Sequence, residues 1–383
     1  MTYEYPISFT TDAFAPDNTV LVEAFAMAGQ GIHRVLCVVD DGLVASMPGL
    51  IGTIEKFFAE HRDLRLVCSP VIVPGGEVAK NSLHYVESIQ CAMNMYAICR
   101  RSFILAIGGG AVLDMVGYAA SISHCGVRLI RMPTTVLSQG HSGVGVANYM
   151  NSFGKKNFLC TFAPPFAVIN DLLFLRSLWQ RDWISGVTEA IKVALVKDPA
   201  FLNFIDKKAE ALLARDEWAM RYTICHCAEL DVRDAAMVGR PLESMTSRPL
   251  EFGHWSAHKL ESLTRFEMHH GEAVAFGMAL DSTYSFLTKR LSRPEWLRIL
   301  SLLFRLGFSF YVSEVELRSG PGRLDYKLFE GIEDFREHCG GQLTITLLEG
   351  IGKPTEVHEM ALDVLLEAMH ILRDGSWVTS FSA

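Results

Sequence analysis

The hydrophobic pattern of the first 170 residues alternates between short apolar runs and longer stretches with helical periodicity. Four runs are apolar and of strand length: "RVLCVVD" (34–40), "FILAIG" (103–108), "VRLIRMP" (127–133) and "FAVIND" (166–171). The segments 82–100 and 111–122 instead repeat apolar residues at three- and four-residue spacing. Buried strands alternating with such helices are typical of a parallel sheet covered on both faces. We therefore predict an α/β domain.

The pattern changes after about residue 178. Long helical stretches over 181–197, 200–238 and 271–290 then dominate, until "GGQLTITLLEGIG" (340–352) predicts a hairpin strand. A chain of 383 residues also exceeds the length at which one core usually stops growing. We predict two domains, an α/β domain over 1–175 and a mainly helical domain over 176–383.

Composition narrows the class of protein. The net charge of −8 argues against a nucleic-acid partner, and no run of eighteen uncharged apolar residues predicts a membrane span. The start "MTYEYPISFTTDAF" lacks the basic and apolar regions of a signal peptide. Nine cysteines, an odd number, favour reduced thiols and a cytoplasmic location. Cys225 and Cys227 lack metal-site spacing and fit helix packing better.

A glycine turn joins a predicted strand to a predicted helix at Gly108, Gly109 and Gly110. At such a turn, backbone N–H groups and the helix dipole favour a phosphate, and glycine permits close approach. Asp40 ends another strand, where it could accept from a ribose hydroxyl. The full G-x-G-x-x-G fingerprint is missing, and a tight turn alone would also use glycine. The pattern favours a Rossmann-like dinucleotide-binding domain, with "PGGEVAK" (74–80) as a second glycine turn.

Four histidines lie close together in "EFGHWSAHKLESLTRFEMHHGEAV" (251–274). His254 and His258 are four residues apart on a predicted helix, so both imidazoles project from one face. His270 begins a second helical pattern and could join them across a short loop. The alternative is that these are ordinary surface or core histidines. A zinc protease does not fit, because the glutamate of H-E-x-x-H is missing. We expect the active site in the crevice between the two domains.

A set of motifs in the same order resembles the dehydroquinate synthase superfamily of sugar phosphate cyclases over roughly residues 30–290. The motifs are "PGGEVAK", "GGGAVLDMVGYAAS", "RMPTTVLSQGHSGVG", "FGKKNF", "SGVTEAIK", "FGHWSAHKLE" and "HHGEAVAFGM". The sequence is most similar to the branch of 2-epi-5-epi-valiolone synthases and EboD-type dehydroquinate-synthase-like proteins. The resemblance implies a Rossmann-like NAD-binding domain followed by a helical metal-binding domain, acting as a carbon–oxygen lyase.

The resemblance also assigns roles in the helical domain. It makes Glu189, His254 and His270 the ligands of a Zn²⁺ or Co²⁺ ion, a set that suits a catalytic metal. It makes His258 a non-ligand histidine near the acid–base centre. The remaining implied catalytic and substrate-binding residues are Lys192 and Asn157, and we add Arg248 because it adjoins Ser247, where the family pattern has Arg.

The resemblance implies NAD as a cofactor that each turnover regenerates, a small anionic sugar phosphate as substrate, and a homodimer. The oxidised alcohol acidifies the neighbouring C–H, phosphate is eliminated, hydride returns, and the opened sugar closes by an aldol step. The implied NAD contacts are Asp40, Glu77, Lys80, Gly109, Gly110, Asp114, Thr134, Thr135, Leu137, Lys156, Phe174, Ser177 and Leu178.

Three positions depart from the family pattern, all at the expected substrate edge of the first domain. His141 stands where Asp is expected, Ala147 where Lys is expected, and Cys125 where Arg is expected. Losing charge-assisted contacts to an anionic substrate argues against the 3-dehydroquinate synthase reaction itself. Two alternatives stay open: a metal-dependent polyol or glycerol-phosphate dehydrogenase that consumes NAD(P), and a noncatalytic ligand-binding relative.

Overall fold

The computed structural model describes residues 4–237, 249–312, 316–318, 324–375 and 377. The chain forms two compact units, Met1–Trp183 and Ile184–Ala383. The predicted boundary at residue 175 lies ahead of this division, within the 3-10 helix Leu172–Ser177.

The first unit is built on a parallel seven-stranded sheet. The strands of this unit are β1 (Ile7–Thr10), β2 (His33–Asp40), β3 (Leu64–Leu66), β4 (Val71–Val73), β5 (Phe103–Gly108), β6 (Arg128–Pro133), β7 (Ala147–Ser152), β8 (Lys155–Phe162) and β9 (Ala167–Asp171). The sheet order is β1-β9-β6-β5-β2-β3. Strand β4 also pairs with β2, at Val38–Asp40, which follow the residues of β2 that pair with β3. Strands β7 and β8 form a separate antiparallel hairpin.

Helices connect these strands. They are α1 (Val20–Ala26), α2 (Asp41–Ser46), α3 (Leu50–Glu60), α4 (Leu83–Met95) and α5 (Gly110–Ile122), with a 3-10 helix at Glu77–Lys80 and a π-helix at Ser138–Ser142. Alternate residues of the central strands enter different cores: Val35, Cys37 and Val39 pack into one cluster, whereas Leu36 and Val38 pack into another. Because both faces of the sheet are covered, the central strands β2 and β5 are largely apolar on both faces. The predicted α/β architecture is confirmed.

The second unit is mainly helical, as predicted. The helices that follow the sheet are α6 (Gln180–Ser185), α7 (Val187–Lys197), α8 (Pro199–Lys207), α9 (Ala209–Leu213), α10 (Glu217–Met237), α11 (His254–Leu263), α12 (His270–Leu287), α13 (Arg293–Arg305), α14 (Glu330–His338) and α15 (Leu362–Asp374). Two hairpins accompany them: β10 (Glu316–Arg318) with β11 (Leu324–Tyr326), and β12 (Ile345–Gly350) with β13 (Lys353–Val357).

Two of the predicted long helices are wrong in detail. The stretch 181–197 divides at Gly186, and 200–238 divides into α8, α9 and α10. Asp198 accepts from the first backbone N–H groups of α8, which starts at Pro199, while Arg215 adopts φ +62° after α9. The cap at Asp198 agrees with the predicted break between 197 and 200, whereas the left-handed Arg215 interrupts helical hydrogen bonding between α9 and α10, which the sequence did not predict. Within the described ranges, no helix is both long and apolar enough to cross a bilayer.

Candidate active site

Three helices of the second unit bring together two imidazoles and a carboxylate. Glu189 lies in the first turn of α7, while His254 and His270 are the first residues of α11 and α12. Glu189 Oε1 lies 3.8 Å from His254 Nε2 and 3.5 Å from His270 Nε2. One potential ligand atom from each residue lies within 4.8 Å of the others. In the part of the chain that the structure describes, no other group of His, Cys, Asp or Glu side chains meets this criterion.

Glycine allows the helices to approach closely enough for this. A Cβ atom on Gly271 would lie 1.9 Å from the carbonyl oxygen of Ser185, just ahead of α7. A Cβ atom on Gly277 would lie 2.0 Å from the carbonyl oxygen of Gly253, directly before α11. At both places backbone packs against backbone, with no room for a side chain. The small residues of "HGEAVAFGM" therefore set the spacing of the histidines.

Hydrogen bonds orient both imidazoles toward Glu189. His270 Nδ1 lies 3.1 Å from Glu261 Oε2, and His254 Nδ1 lies 3.3 Å from the carbonyl oxygen of Phe252. When each Nδ1–H donates to these acceptors, the Nε2 lone pairs face the Glu189 carboxylate. Metal-binding histidines are usually held in this way. The residues present thus fit a divalent metal ion.

Electrostatics favour the metal-binding form of His254. Burial, followed by the positive charge of Lys192, holds the pKa of His254 well below its ordinary value. The imidazole is therefore neutral near pH 7, and neutral imidazole is the form that binds a metal.

Two further predicted residues lie beside this group. Lys192 forms an ion pair with Glu189 Oε2, and the side chains of both residues are 1% exposed. The half-buried His258 ring lies 5.4 Å from the His254 ring and 6.2 Å from the His270 ring, between centroids. A cation and a third imidazole thus border the metal-binding group. Arg248 lies outside the described residues.

The glycine turn of the first unit excludes side chains. Gly109 immediately precedes α5, and a Cβ atom there would lie 3.3 Å from Thr135 Cγ2. A Cβ atom on Gly108 would lie 2.8 Å from Val112, and one on Gly110 would lie 2.6 Å from Ser142 Oγ. The turn therefore presents bare backbone at the start of a helix, which suits the pyrophosphate of a dinucleotide.

Asp40 lies next to this turn. Its carboxylate accepts from the N–H groups of Gly42 and Leu43 at 2.9 and 3.3 Å, and burial raises its pKa. A Cβ atom on Gly75 would lie 2.4 Å from Asp40 Oδ1, and one on Gly108 would lie 3.2 Å from Asp40 Cβ. The two predicted glycine turns, "PGG" and "GGG", therefore meet at Asp40.

A buried cation connects several predicted NAD contacts. Lys80 Nζ donates to Asp114 Oδ2 at 2.8 Å and to Asn157 Oδ1 at 2.6 Å. Asn151 accepts from the N–H of Asn157 and donates to Glu77 Oε1, both at 2.8 Å. Asn157 adopts φ +55°, a left-handed conformation that Asn tolerates better than most residues. These bonds attach the β7–β8 hairpin to α5 and to the 3-10 helix Glu77–Lys80. Half-buried Lys156 is the neighbour of Asn157 on β8.

The other predicted NAD contacts divide into two groups. Thr134 donates its N–H to the carbonyl oxygen of Gly108 at 3.0 Å, and half-buried Thr135 and Leu137 follow. These residues adjoin the glycine turn. The Phe174 side chain instead packs in an apolar core, while Ser177 Oγ donates to the Phe174 carbonyl and Leu178 N–H to that of Leu175. The Phe174 ring therefore contributes to the apolar core, and its contact with NAD stays a prediction.

The three departures from the family pattern do not share one edge of the sheet. His141 in the π-helix and Ala147 at the start of β7 both follow the carboxyl end of β6. Cys125 is exposed and precedes β6, after α5 has returned across the sheet. The expectation that all three lie at the substrate edge is wrong for Cys125, because a crossover helix ends at the amino edge of a parallel sheet.

Two residues near these sites were missed from sequence. Arg131, 1% exposed on β6, donates to the carbonyl oxygens of Gly143 and Gly145 at 3.2 and 2.7 Å and so holds the segment after the π-helix. Glu261 orients His270. The available signals were an arginine inside the apolar run "VRLIRMP" and a glutamate seven residues after His254, on the same helical face.

The fold and the site define a class of two-unit proteins: a parallel α/β unit with a glycine turn, and a helical unit with a carboxylate–imidazole group that fits a divalent metal. Residues 70–185 match the family described as 3-dehydroquinate synthase N-terminal. Residues 186–320 match the family described as 3-dehydroquinate synthase C-terminal. The 3-dehydroquinate synthase of Buchnera aphidicola subsp. Baizongia pistaciae is 31% identical over 300 residues, which cover 76% of this chain and 81% of that protein. The chain belongs to the 3-dehydroquinate synthase family.

Solved structures share the whole fold. ValA, a 2-epi-5-epi-valiolone synthase from Streptomyces hygroscopicus subsp. jinggangensis with NAD⁺ and Zn²⁺ bound, has a TM-score of 0.84 at 23% identity, covering 98% of each chain. A 2-deoxy-scyllo-inosose synthase complexed with carbaglucose-6-phosphate, NAD⁺ and Co²⁺ has a TM-score of 0.73 at 21% identity, covering 96% of each chain. At these identities the likeness concerns the fold.

Proposed function

We propose that this protein is an NAD- and divalent-metal-dependent sugar phosphate cyclase whose substrate is not the 3-dehydroquinate precursor. The observation that carries the proposal is the convergence of Glu189, His254 and His270 on one point, with Lys192 beside them. Family membership supports it, and related folds hold NAD⁺ with Zn²⁺ or Co²⁺.

The residues of this chain have distinct parts in the proposed reaction. When bound, NAD would exchange a hydride with the substrate, and the metal would polarise substrate oxygens. Glu189, His254 and His270 would hold the metal, while Lys192 would hold an anionic group beside it. His258 would hold or release a proton at a ring nitrogen.

The first unit would hold the dinucleotide. The bare backbone at Gly108–Gly110 would cradle the pyrophosphate at the start of α5. Lys80, which Asp114 holds in place, would lie on the cofactor side of the site. Its hydrogen bond to Asn157 would orient the Asn157 amide for contact with the substrate.

The changed substrate is proposed from His141 and Ala147. The family pattern places a carboxylate and an ammonium group at these positions, whereas this chain has an imidazole and a methyl group. The recognition of an anionic substrate would then depend on Lys192 and Arg248. Removing a charge-assisted contact typically costs roughly 1.5 to 3 kcal/mol, so the original substrate would be bound poorly.

The test is phosphate release by the purified protein with NAD and Zn²⁺, against a panel of heptulose and hexose phosphates. We expect release from a substrate other than the dehydroquinate precursor, without accumulation of NADH. Lys192→Ala should weaken that activity, whereas Lys197→Ala, on another face of α7, should not. Robust dehydroquinate formation would refute the changed substrate. Stoichiometric NADH from an alcohol would instead identify a dehydrogenase, and metal binding without turnover of any substrate would favour a noncatalytic relative.

A further inference from the structure

Asp281 lies on α12, where it accepts two hydrogen bonds from the start of α11. Its Oδ2 accepts from the N–H of Gly253 at 3.0 Å, and its Oδ1 accepts from Trp255 Nε1 at 2.9 Å. These donors are the residues on either side of His254. Asp281 and Trp255 are 0% and 1% exposed, so water does not compete for the bonds. One carboxylate thus fixes the residue before His254 and the residue after it.

The same helix also carries the second histidine. His270 begins α12, and Asp281 follows it by eleven residues, which is about three helical turns at 3.6 residues per turn and returns to the same face. Gly277 lies between them, where its backbone touches Gly253. This face of α12 therefore determines where α11, and with it His254, lies relative to His270.

A carboxylate suits this position in a way that other side chains do not. Each of its oxygens meets an N–H donor, whereas an asparagine would offer one oxygen and turn an NH₂ group toward the second donor. A buried carboxylate is costly, and burial raises the pKa of Asp281 to about 7. An apolar side chain would serve ordinary packing without that cost.

We propose that Asp281 is a positioning residue that fixes His254 against His270 and so sets the affinity of the site for its divalent metal. This inference rests on the proposed function, in which His254 and His270 are metal ligands. It assigns to Asp281 a part in the metal site although Asp281 is not itself a ligand.

The test compares Zn²⁺ affinities, measured by competition with a chromophoric chelator, and the visible spectra of the Co²⁺-loaded proteins. We expect Asp281→Asn to bind Zn²⁺ roughly 10- to 100-fold more weakly, the usual effect of losing a partner that orients a ligand. The Co²⁺ spectrum should shift, because the histidine geometry changes.

A second variant separates positioning from packing. In Asp281→Asn/Trp255→Phe the indole donor is gone, so the amide oxygen can accept from Gly253 while the NH₂ group faces a ring without an N–H. We expect this double variant to bind Zn²⁺ more tightly than Asp281→Asn alone. A role confined to packing would lower thermal stability and leave the Zn²⁺ affinity of both variants equal to that of wild type.

The matched control is a similar bond on the same helix. Trp296 Nε1 donates to the buried Thr283 Oγ1 at 3.0 Å, and neither residue contacts the start of α11 in the hydrogen bonds of the described chain. Thr283→Val should lower thermal stability while leaving Zn²⁺ affinity and the Co²⁺ spectrum unchanged.

The outcomes distinguish this inference from the proposed function. Wild-type protein that binds no divalent metal would overturn the proposed function. Wild-type protein that binds metal, with Asp281→Asn binding it equally well, would overturn the positioning role alone. Should Asp281→Asn fail to fold, Trp255→Phe against Trp296→Phe decides: weaker Zn²⁺ binding in the first alone supports positioning, and equal binding refutes it.

Discussion

The two candidate sites are built in opposite ways. The glycine turn of the first unit consists of backbone from one continuous strand–turn–helix segment, and it leaves room for a pyrophosphate because Gly108, Gly109 and Gly110 carry no side chains. The candidate metal-binding group of the second unit consists of side chains from three helices that are distant in sequence. We therefore expect ligand binding at the first site to be lost when a substitution adds atoms, and at the second site when a substitution removes them.

Removing a ligand should give the largest effect. We expect His254→Ala to abolish retention of divalent metal, because only Glu189 and His270 remain to hold it. NAD affinity in the first unit should be preserved. Elemental analysis of the purified variant checks the metal, and calorimetry checks NAD. A stoichiometric metal content in this variant would contradict the ligand assignment.

Adding atoms to the glycine turn is the converse experiment. We expect Gly109→Val to eliminate measurable NAD binding in calorimetry while leaving the metal content unchanged, because the new side chain occupies the approach to the backbone and presses on Thr135. Gly52→Val is the control, since a Cβ atom there meets nothing within 4 Å. Unchanged NAD affinity in Gly109→Val would show that the turn is only structural.

The buried ion pair of the first unit should show an intermediate effect on stability. Lys80→Met leaves Asp114 buried without its nearest cation, a change that typically costs roughly 3–5 kcal/mol. Hydrogen exchange of the α5 amides should report this loss. The control is Lys56→Met, whose partner Glu60 is 49% exposed, and an exposed pair contributes at most about 1 kcal/mol. Similar exchange in the two variants would refute the importance of the buried pair.

The most gradual expected effect is a pH dependence of stability in the second unit. Burial raises the pKa of folded Asp281 to about 7, above its value in an unfolded chain. Between those two values the folded state holds a proton that the unfolded state has released, so stability falls as pH rises toward 7. In metal-free protein, the thermal stability of wild type relative to Asp281→Asn should decline over this window. A constant difference would contradict the raised pKa.

The sequence predicted the parts of the fold that have strong local patterns. Central strands such as β2 and β5 are apolar on both faces and were identified from sequence. Strands β1, β3 and β4 were missed because they are short, and β1 pairs with β9, which lies far away in the chain. The hairpin β7–β8 was missed because its strands are rich in polar residues that bond to one another and to Lys80.

The candidate site, too, was predictable from sequence only where its pattern is local. The histidine spacing predicted that His254 and His258 share a face, and family resemblance was needed to add Glu189 from another helix. Asp281 was not anticipated, because its partners are a backbone N–H and an indole that only the packing of α11 on α12 brings near. A lone carboxylate in the apolar run "AVAFGMALDSTYSFL" was the signal available.

The Lys80–Asp114 pair has a consequence for ionic strength. Its side chains are 4% and 12% exposed, so dissolved ions cannot come between them. Added salt screens charges that meet in water over about 10 Å at 0.1 M, but screens buried pairs much less. High salt should therefore leave the join between α5 and the β7–β8 hairpin intact while weakening the long-range attraction of an anionic ligand. Measurements over a range of salt concentrations can thus distinguish an effect on the association of an anionic ligand from an effect on the stability of the first unit.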